Sequence, residues 1–223
     1  MAVIGRMLGP VDVLVNNAGT PGLLGPFWET DVDEWWHAID VNLRGQLLCT
    51  RAVLPEMIAR RRGRIINVAS GAGTIAIPYL SGYVTSKAAL IRFTECLAAE
   101  IKQYGIATFA IEPGTVRTAM ADFVLNSREG QKWMPWFRRI FEEGRDVTPE
   151  RSAQFLLSLA SGKADALSGR FLQISDDLES ILKNVQQVEK NNLYSLGIQR
   201  LGAGMSKSIS AAAEQAAGKG AKK

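Results

Sequence analysis

The sequence contains few of the side chains that most often bind metals or form disulfides. It has one histidine, His37, and two cysteines, Cys49 and Cys96. Zinc sites combine several histidine, cysteine and carboxylate ligands, and no such cluster is apparent along the chain, so we expect no metal site. Because both cysteines fall inside apolar helical patterns, we expect two buried thiols in a reducing cytoplasm rather than a disulfide.

The sequence also lacks a strong excess of charge and a long apolar segment. Of the formal net charge of +4 over 223 residues, a net +3 comes from four lysines and one glutamate in residues 202–223, so the rest carries about +1. A nearly neutral body does not favour a nucleic-acid partner. Residues 65–86 carry no charge, but several polar residues and a proline interrupt them, so we expect no membrane segment. The apolar run at the N-terminus is too short, and interrupted too soon, to be a signal peptide. We therefore expect a soluble, cytoplasmic protein.

Segments typical of strands alternate with segments typical of helices. Helical spacing predicts long helices over 31–62 and 82–104, and shorter ones from Thr148 and over 177–192. Short runs rich in β-branched residues predict strands over residues 11–15, 64–68, 106–111 and 171–174. This alternation predicts an α/β fold with a mostly parallel sheet. Without repeats or linkers, residues 1–201 are expected to form one domain, and residues 202–223 a flexible basic tail.

Local signals also predict where some helices begin and end. Thr30 and Asp33 resemble a capping box at the start of the first long helix. Gly63, after three arginines, is expected to end that helix, and Gly105 to end the second. Pro149 fits the first position of a later helix.

Tyr83 and Lys87 are the first pair of residues that suggests chemistry. Their i, i+4 spacing puts both side chains on one face of a helix. An ammonium close to a phenol favours the phenolate, so Lys87 could lower the pKa of Tyr83 and allow proton exchange with a substrate hydroxyl. The same spacing is common on solvated helices, so the pair needs support from its surroundings.

That support comes from the ends of the predicted strands. Ser70 ends the strand before this helix, Asn16-Asn17-Ala18-Gly19 ends the first strand, and Pro113-Gly114 follows the third. Ligands of open α/β sheets bind at the carboxyl ends of the strands, so these segments are expected to converge on one rim.

Taken together, these motifs resemble the short-chain dehydrogenase/reductase family. The resemblance rests on Asn16-Asn17-Ala18-Gly19, on Asn42 in Val-Asn-Leu-Arg-Gly, on Ser70, on Tyr83-x-x-x-Lys87 and on Pro113-Gly114, and it spans residues 8–175 or so. It implies a Rossmann-like parallel sheet with flanking helices. It also implies hydride transfer between a nicotinamide cofactor, NAD or NADP, and an alcohol or ketone.

The resemblance further implies a role for each catalytic residue. Tyr83 would be the general acid/base, and Ser70 would hydrogen-bond the substrate oxygen. Lys87 would lower the pKa of Tyr83 and bind the ribose hydroxyls of the nicotinamide. Asn42 would hold a water in the proton relay, although a hydrogen bond at a helix kink is the alternative.

Two further groups of residues would contact the cofactor. Asn16, Ala18 and Gly19 would lie on its adenosine side, although packing at the strand end is the alternative. The nicotinamide would be flanked by Pro113, Gly114, Val116 and Thr118, although this segment is otherwise an ordinary turn.

One family feature, the N-terminal glycine-rich phosphate loop, is missing. The nearest string, Gly71-Ala72-Gly73-Thr74-Ile75-Ala76, is followed by Ile77-Pro78 rather than a helix, so we interpret it as a false match. We therefore expect that N-terminal βαβ units of roughly 75–90 residues are missing. The strand at residues 11–15 would then be an exposed, aggregation-prone sheet edge.

The sequence leaves substrate and assembly open. The aromatic stretch 119–147, with Trp133, Trp136 and Phe137, suggests a lid over a bulky apolar substrate, or else core packing. An intact protein of this kind is expected to be a homodimer or homotetramer. A non-catalytic remnant that binds or oligomerises through the two long helices is the alternative. A hydrolase using Ser70 is disfavoured, because His37 precedes it and no Gly-x-Ser-x-Gly turn exists.

Overall fold

The computed structural model describes residues 7–198, and these contain a four-stranded parallel sheet. The strands lie side by side in chain order, as β1 (Val13–Asn16), β2 (Gly63–Val68), β3 (Ile106–Glu112) and β4 (Phe171–Gln173). Residue pairs such as Asn16–Asn67 and Glu112–Gln173 face each other in register. All four predicted strands are confirmed to within two residues, and so is the Rossmann-like architecture. The predicted tail, residues 202–223, lies outside the described residues.

Helices occupy the crossovers that parallel strands require, and two short helices follow β4. They are α1 (Val32–Ile39), α2 (Gly45–Arg60), α3 (Ser81–Ile101), α4 (Ala119–Asn126), α5 (Arg128–Trp133), α6 (Arg138–Glu142), α7 (Pro149–Ala160), α8 (Leu178–Lys183) and α9 (Val185–Lys190). A π-helical turn, Asp40–Arg44, joins α1 to α2. None of the helices among the described residues has the length and apolar composition to cross a membrane.

Apolar side chains cover both faces of the sheet because successive strand residues point in opposite directions. Ile65 packs with Val53 and Met57 of α2, whereas its neighbour Ile66 packs with Phe109 and Leu159 on the other face. Near the middle of the sheet a third cluster joins Ala69 and Ala110 to Leu90 and Ile91 of α3. Burial on both faces explains why these strands are continuous apolar runs.

Four polar side chains cross this core as one chain of hydrogen bonds. The Asn16 amide nitrogen donates to Thr50 Oγ1 at 2.9 Å and to Asn67 Oδ1 at 2.8 Å. The Asn67 amide nitrogen donates to Thr94 Oγ1 at 2.9 Å, and that hydroxyl donates to the carbonyl of Leu90 at 2.8 Å. We call these residues, Thr50, Asn16, Asn67 and Thr94, the amide ladder. All four are at most 4% exposed, so the ladder joins α2, β1, β2 and α3 away from water.

Some predicted helix ends differ in the structure. Asp31, not Thr30, caps α1, because its carboxylate accepts from the Glu34 amide at 3.0 Å while the Thr30 hydroxyl donates to the Pro26 carbonyl. The single helix predicted over 31–62 is α1, the π-helical turn and α2. It ends at Arg60 and not at Gly63, because Arg61 adopts a left-handed conformation (φ 51°). Gly63 instead begins β2.

Other predicted ends are confirmed. Gly105 lies at φ 67° after the helical segment that follows α3, and Thr148 caps α7 with Pro149 in its first position. The single helix predicted over 177–192 is two short helices, which Asn184 separates with a non-helical backbone.

The prediction of buried thiols was wrong. Cys49 on α2 and Cys96 on α3 are both exposed free cysteines. Each lies beside buried polar residues of the same helix, Thr50 and Thr94, which take the positions facing the sheet. Helical spacing gave the right element but assigned these residues to the wrong face.

The two edges of the sheet differ. β1 has no neighbouring strand on its outer side among the described residues, and Val13 and Val15 are 37% and 41% exposed. The edge formed by β4 is covered in part by a later segment of the chain, because the Phe171 amide donates to the Tyr194 carbonyl at 2.8 Å. β1 is therefore the exposed edge that the sequence predicted, and its tendency to aggregate stays a prediction.

The amide ladder predicts a large stability cost at its centre. Asn67→Ala removes the two hydrogen bonds that the Asn67 side chain makes with Asn16 and Thr94. The buried Asn16 side-chain amide is then left without its Asn67 acceptor. We expect the free energy of unfolding to fall by about 2–4 kcal/mol, measured by urea denaturation. Asn191→Ala, at an exposed asparagine, is the matched control and should change it by less than about 0.5 kcal/mol. A similar small change for Asn67→Ala would mean that the ladder is not structural.

Candidate active site

The predicted site residues lie where the carboxyl ends of β1, β2 and β3 meet the start of α3. Ser70 follows β2, Tyr83 and Lys87 lie in the first two turns of α3, and Pro113 follows β3. Parallel strands place their carboxyl ends at the same edge, so segments far apart in sequence become neighbours here.

Tyr83 lies in apolar surroundings. It packs against a cluster of buried residues, Leu24, Leu80, Val124 and Met134. They come from the loop after β1, from the start of α3 and from the segment around α4 and α5. Burial is the main cause that raises the pKa of Tyr83 above its usual value of 10.0, and the nearby Ser70 hydroxyl opposes this effect. The phenol is therefore held in its protonated form at neutral pH.

Lys87 is 3% exposed and its ammonium is engaged within the protein. Its Nζ donates to the carbonyl of Val68 at 2.7 Å and lies 5.6 Å from the centre of the Tyr83 ring. Burial lowers the pKa of Lys87 to about 8. The net shift of Tyr83 is opposite to the one expected from Lys87, because removal of water is the largest influence on both groups. The effect of Lys87 itself on Tyr83 stays a prediction.

Ser70 is presented by a short helical turn, Gly71–Thr74. Its hydroxyl accepts from the Ala72 amide at 3.1 Å, and its carbonyl accepts from the Gly73 amide at 3.0 Å. A side chain at Gly73 would lie 2.8 Å from the backbone of Lys87 and Ala88, so this glycine lets the turn pack on α3. Gly73 of this segment therefore serves packing. The turn does not lead directly into a long helix, which agrees with the interpretation of the glycine string as a false phosphate loop.

Asn42 is fully buried in the π-helical turn and its amide group is occupied by protein partners. Its nitrogen donates to the Thr20 carbonyl at 2.9 Å and to Ser86 Oγ at 3.0 Å, and its oxygen accepts from the Thr20 amide at 2.8 Å. The side chain fastens the loop after β1 to α3. Whether Asn42 also holds a water of the proton relay stays a prediction.

The three residues predicted on the adenosine side are placed differently from one another. The Asn16 side chain belongs to the amide ladder, so the alternative of packing at the strand end describes it. Ala18 is exposed, and its carbonyl accepts from the Gln46 amide at 3.0 Å. Gly19 is exposed, and a side chain there would approach Asn42, Met120 and Lys87 at 3.5–3.8 Å.

The segment after β3 forms a fixed turn. Gly114 lies at φ 82°, and a side chain there would meet Val147 at 2.6 Å, so the turn requires glycine. Ser152 donates to the Pro113 carbonyl at 2.6 Å, and Val116 forms an isolated parallel bridge with Val147. Thr118 caps α4 through the Ala121 amide.

The aromatic stretch 119–147 folds into α4, α5 and α6 with a helical turn between the last two. Trp133 packs on Tyr79 with ring centres 4.5 Å apart, and Phe137 packs edge-on between Trp136 and Phe141. Val124 and Met134 reach Tyr83, so part of this stretch covers the site.

Several functional neighbours escaped sequence analysis. Thr20 and Ser86 hold Asn42, the ladder residues hold Asn16, and Glu112 lies beside the turn of Ser70. A polar residue at the end of an otherwise apolar strand was the available signal for Asn67 and Glu112. Among the described residues, no cluster of three or more histidine, cysteine, aspartate or glutamate side chains could hold a metal ion.

The residues present fit the nicotinamide end of a dinucleotide. Gly19 is exposed, and a side chain there would lie 3.8 Å from Lys87 Nζ, so its backbone leaves room for a ligand beside that ammonium. The part of the chain that the structure describes contains no glycine-rich loop leading into a helix for the pyrophosphate.

Comparison with known proteins agrees with this geometry. The sequence profile of the short chain dehydrogenase family matches residues 1–129. A short chain dehydrogenase of Pseudocercospora fijiensis is 35% identical over 202 residues, which are 86% of this chain. The chain spans 65% of the length of that relative. A relative from Xanthobacter autotrophicus, named inactive 2-(S)-hydroxypropyl-CoM dehydrogenase 2, is 34% identical over 81% of this chain and 79% of its own length.

Solved structures show the same fold. A gluconate 5-dehydrogenase from Burkholderia cenocepacia, in complex with NADP and tartrate, superimposes with a TM-score of 0.69 at 28% identity. The match covers 80% of this chain and 69% of that one. The fold and the rim of polar strand ends thus define an α/β protein of the dehydrogenase type. The chain belongs to the short-chain dehydrogenase/reductase family.

The lowered pKa of Lys87 predicts an unusual dependence of stability on pH. Between about pH 8 and the unfolded value of 10.5, the unfolded chain binds more protons than the folded one, so stability rises with pH. We expect the free energy of unfolding to rise by about 2 kcal/mol between pH 8 and pH 10, relative to Lys87→Met, in urea titrations. Lys102→Met, at an exposed lysine, is the control. Parallel curves for wild type and Lys87→Met would contradict the burial of a charged amine.

Proposed function

We propose that this chain carries the catalytic part of an NAD(P)-dependent oxidoreductase that transfers a hydride between a nicotinamide cofactor and an alcohol or ketone. The observation that carries the proposal is the meeting of Tyr83, Ser70 and Lys87 at one rim, with Tyr83 in apolar surroundings. Family membership supports the reaction type.

The state of each side chain suggests what it does in the reaction. Tyr83 is held as a protonated phenol, so it donates its proton to the carbonyl oxygen in reduction and recovers one from the alcohol in oxidation. Ser70 Oγ, fixed by the turn that it begins, donates to the same oxygen and stabilises its developing charge. The cofactor, when bound, supplies or accepts the hydride.

Lys87 has a second task besides its bond to Val68. Because its ammonium lies near Gly19, it is placed to hydrogen-bond the ribose hydroxyls of a nicotinamide nucleotide. The segment with Pro113, Gly114, Val116 and Thr118 would flank the nicotinamide. Asn42 fixes the Thr20 backbone next to Gly19 and so shapes that wall indirectly. The choice between NAD and NADP stays open.

The surroundings of Tyr83 favour an apolar substrate. The cluster of Leu24, Leu80, Val124 and Met134 offers a carbonyl compound hydrophobic contact next to the phenol. We propose a bulky alcohol or ketone as substrate, and a cytoplasmic homodimer or homotetramer as the assembly of the intact protein. Neither a nucleic acid nor a membrane is proposed as partner.

A non-catalytic binding or oligomerising module is the second candidate. Two observations favour it, since Lys87 and Asn42 direct their polar atoms to partners within the chain, and one relative is named inactive. α2 also exposes Leu48 beside Cys49, which suits contact with another chain.

Cofactor titration and one substitution separate the two candidates. We expect isothermal calorimetry to detect binding of NADH or NADPH at up to millimolar concentration, and a panel of apolar ketones to be reduced. Tyr83→Phe should keep cofactor binding and lose about 10²-fold or more in turnover, followed by the absorbance of the reduced nicotinamide. Tyr104→Phe, outside the site, is the matched control.

Each result points to one candidate. Turnover within a few-fold of wild type in Tyr83→Phe would exclude the acid/base role. No heat of binding for either cofactor would favour the non-catalytic module.

A further inference from the structure

A half-buried carboxylate, Glu112, lies at the rim of the candidate site, and no motif of the sequence accounts for it. Glu112 is the last residue of β3, directly before Pro113. Its position on the strand matches that of Thr108 and Ala110, so its side chain emerges on the α3 side of the sheet, where Ala110 packs with Leu90 and Ile91.

The carboxylate fills the space that a side chain at Gly71 would occupy. A Cβ atom added at Gly71 would lie 2.8 Å from Glu112 Oε2 and 3.0 Å from both Oε1 and the carboxyl carbon. Gly71 directly follows Ser70 and opens the turn that fixes its hydroxyl. The turn therefore lies directly on the Glu112 carboxylate.

Gln173 holds this carboxylate from the neighbouring strand. The two residues face each other in the β3–β4 register, and the Gln173 side-chain amide donates to Glu112 Oε2. Gln173 is itself anchored, since its backbone amide donates to Asp176 Oδ2 at 2.7 Å. The ends of β2, β3 and β4 are thus joined through one carboxylate.

We propose that Glu112 is a positioning residue of the candidate site. Its carboxylate packs against the turn that follows Ser70, and its negative charge lies close to Tyr83. The inference rests on the proposed function of Tyr83 and Ser70 and extends it to a residue outside the catalytic set. Its consequence is that the phenol is kept as a proton donor.

The groups around Tyr83 agree with this role. Lys87 on the same helix lies 5.6 Å from the Tyr83 ring centre, and Ser70 after β2 and Glu112 on β3 are near enough to influence the pKa of Tyr83. The segment around α4 and α5 contributes the apolar Val124, Met134 and Phe137. The negative charge of Glu112 adds to burial in raising the pKa of Tyr83. Removal of that charge should therefore make the phenolate easier to form.

Ultraviolet titration of the phenolate tests the charge without any need for turnover. The absorbance of Tyr83 is obtained as the difference between wild type and Tyr83→Phe. The same difference is taken between Glu112→Gln and the double variant that carries Glu112→Gln and Tyr83→Phe. We expect about threefold more Tyr83 phenolate at a given pH in Glu112→Gln, a midpoint lower by about half a pH unit. Glu142→Gln, at an exposed glutamate of α6, is the control and should leave the midpoint in place. An unchanged midpoint in Glu112→Gln would overturn the proposal.

A second comparison tests the support of the turn and keeps Glu112 itself intact. Gly71→Ala should lower the melting temperature, because its methyl group meets the held carboxylate. Gln173→Leu releases the carboxylate, so Gly71→Ala should cost less in that background. An equal cost in both backgrounds would overturn the positioning role, even if Glu112→Gln failed to fold.

These outcomes are separable from the fate of the proposed function. A shifted Tyr83 titration together with absent cofactor binding would overturn the oxidoreductase and keep the placement of Glu112. Cofactor binding and turnover together with an unshifted titration would keep the oxidoreductase and overturn the role of Glu112. In an active protein, Glu112→Gln should also move the pH profile of alcohol oxidation towards lower pH.

Discussion

The amide ladder is the interaction on which the rest of the site depends. It links Thr50 of α2 to Thr94 of α3 through the paired Asn16 and Asn67 of two adjacent strands. Amides buried without partners are costly, so this set of hydrogen bonds permits only one relative placement of the four elements. With α3 fixed in this way, Lys87 reaches the Val68 carbonyl and Tyr83 faces Ser70. Apolar packing alone would tolerate small shifts of these elements, whereas the ladder does not.

Burial, rather than attraction between neighbouring charges, sets the electrostatics of the site. Removal from water shifts the pKa of both Tyr83 and Lys87 towards the neutral form, and the charge of Glu112 adds to the shift of Tyr83. With a pKa of about 8, Lys87 still carries its proton at neutral pH. The same packing that stabilises the fold therefore decides the protonation state of the proposed proton donor. A cofactor would enter surroundings in which the phenol already carries its proton.

The contacts of the segment around α4 and α5 connect this chemistry to substrate choice. Val124 and Met134 complete the apolar surroundings of Tyr83, while Thr118 at the start of α4 belongs to the wall proposed for the nicotinamide. In the proposed function, one segment would thus contact both the cofactor and the substrate. Its aromatic residues pack mainly on one another and on Tyr79. They therefore stabilise the segment itself, and the contact to the substrate would come mainly from its aliphatic residues.

The sequence by itself predicted the strands and the main helical segments, because strand and helix periodicity and turn residues are local signals. It also singled out Ser70, Tyr83 and Lys87, which the fold brings to one rim. It did not determine that Asn16 and Asn42 have structural partners, that Cys49 and Cys96 face outward, or that burial raises the pKa of Tyr83. Only the tertiary structure decided these points. Hydrogen-bond partners such as Asn42 and Ser86, and the exclusion of water around Tyr83, come from segments far apart in the chain. A pKa depends on the sum of those distant neighbours, and no spacing along the sequence records it.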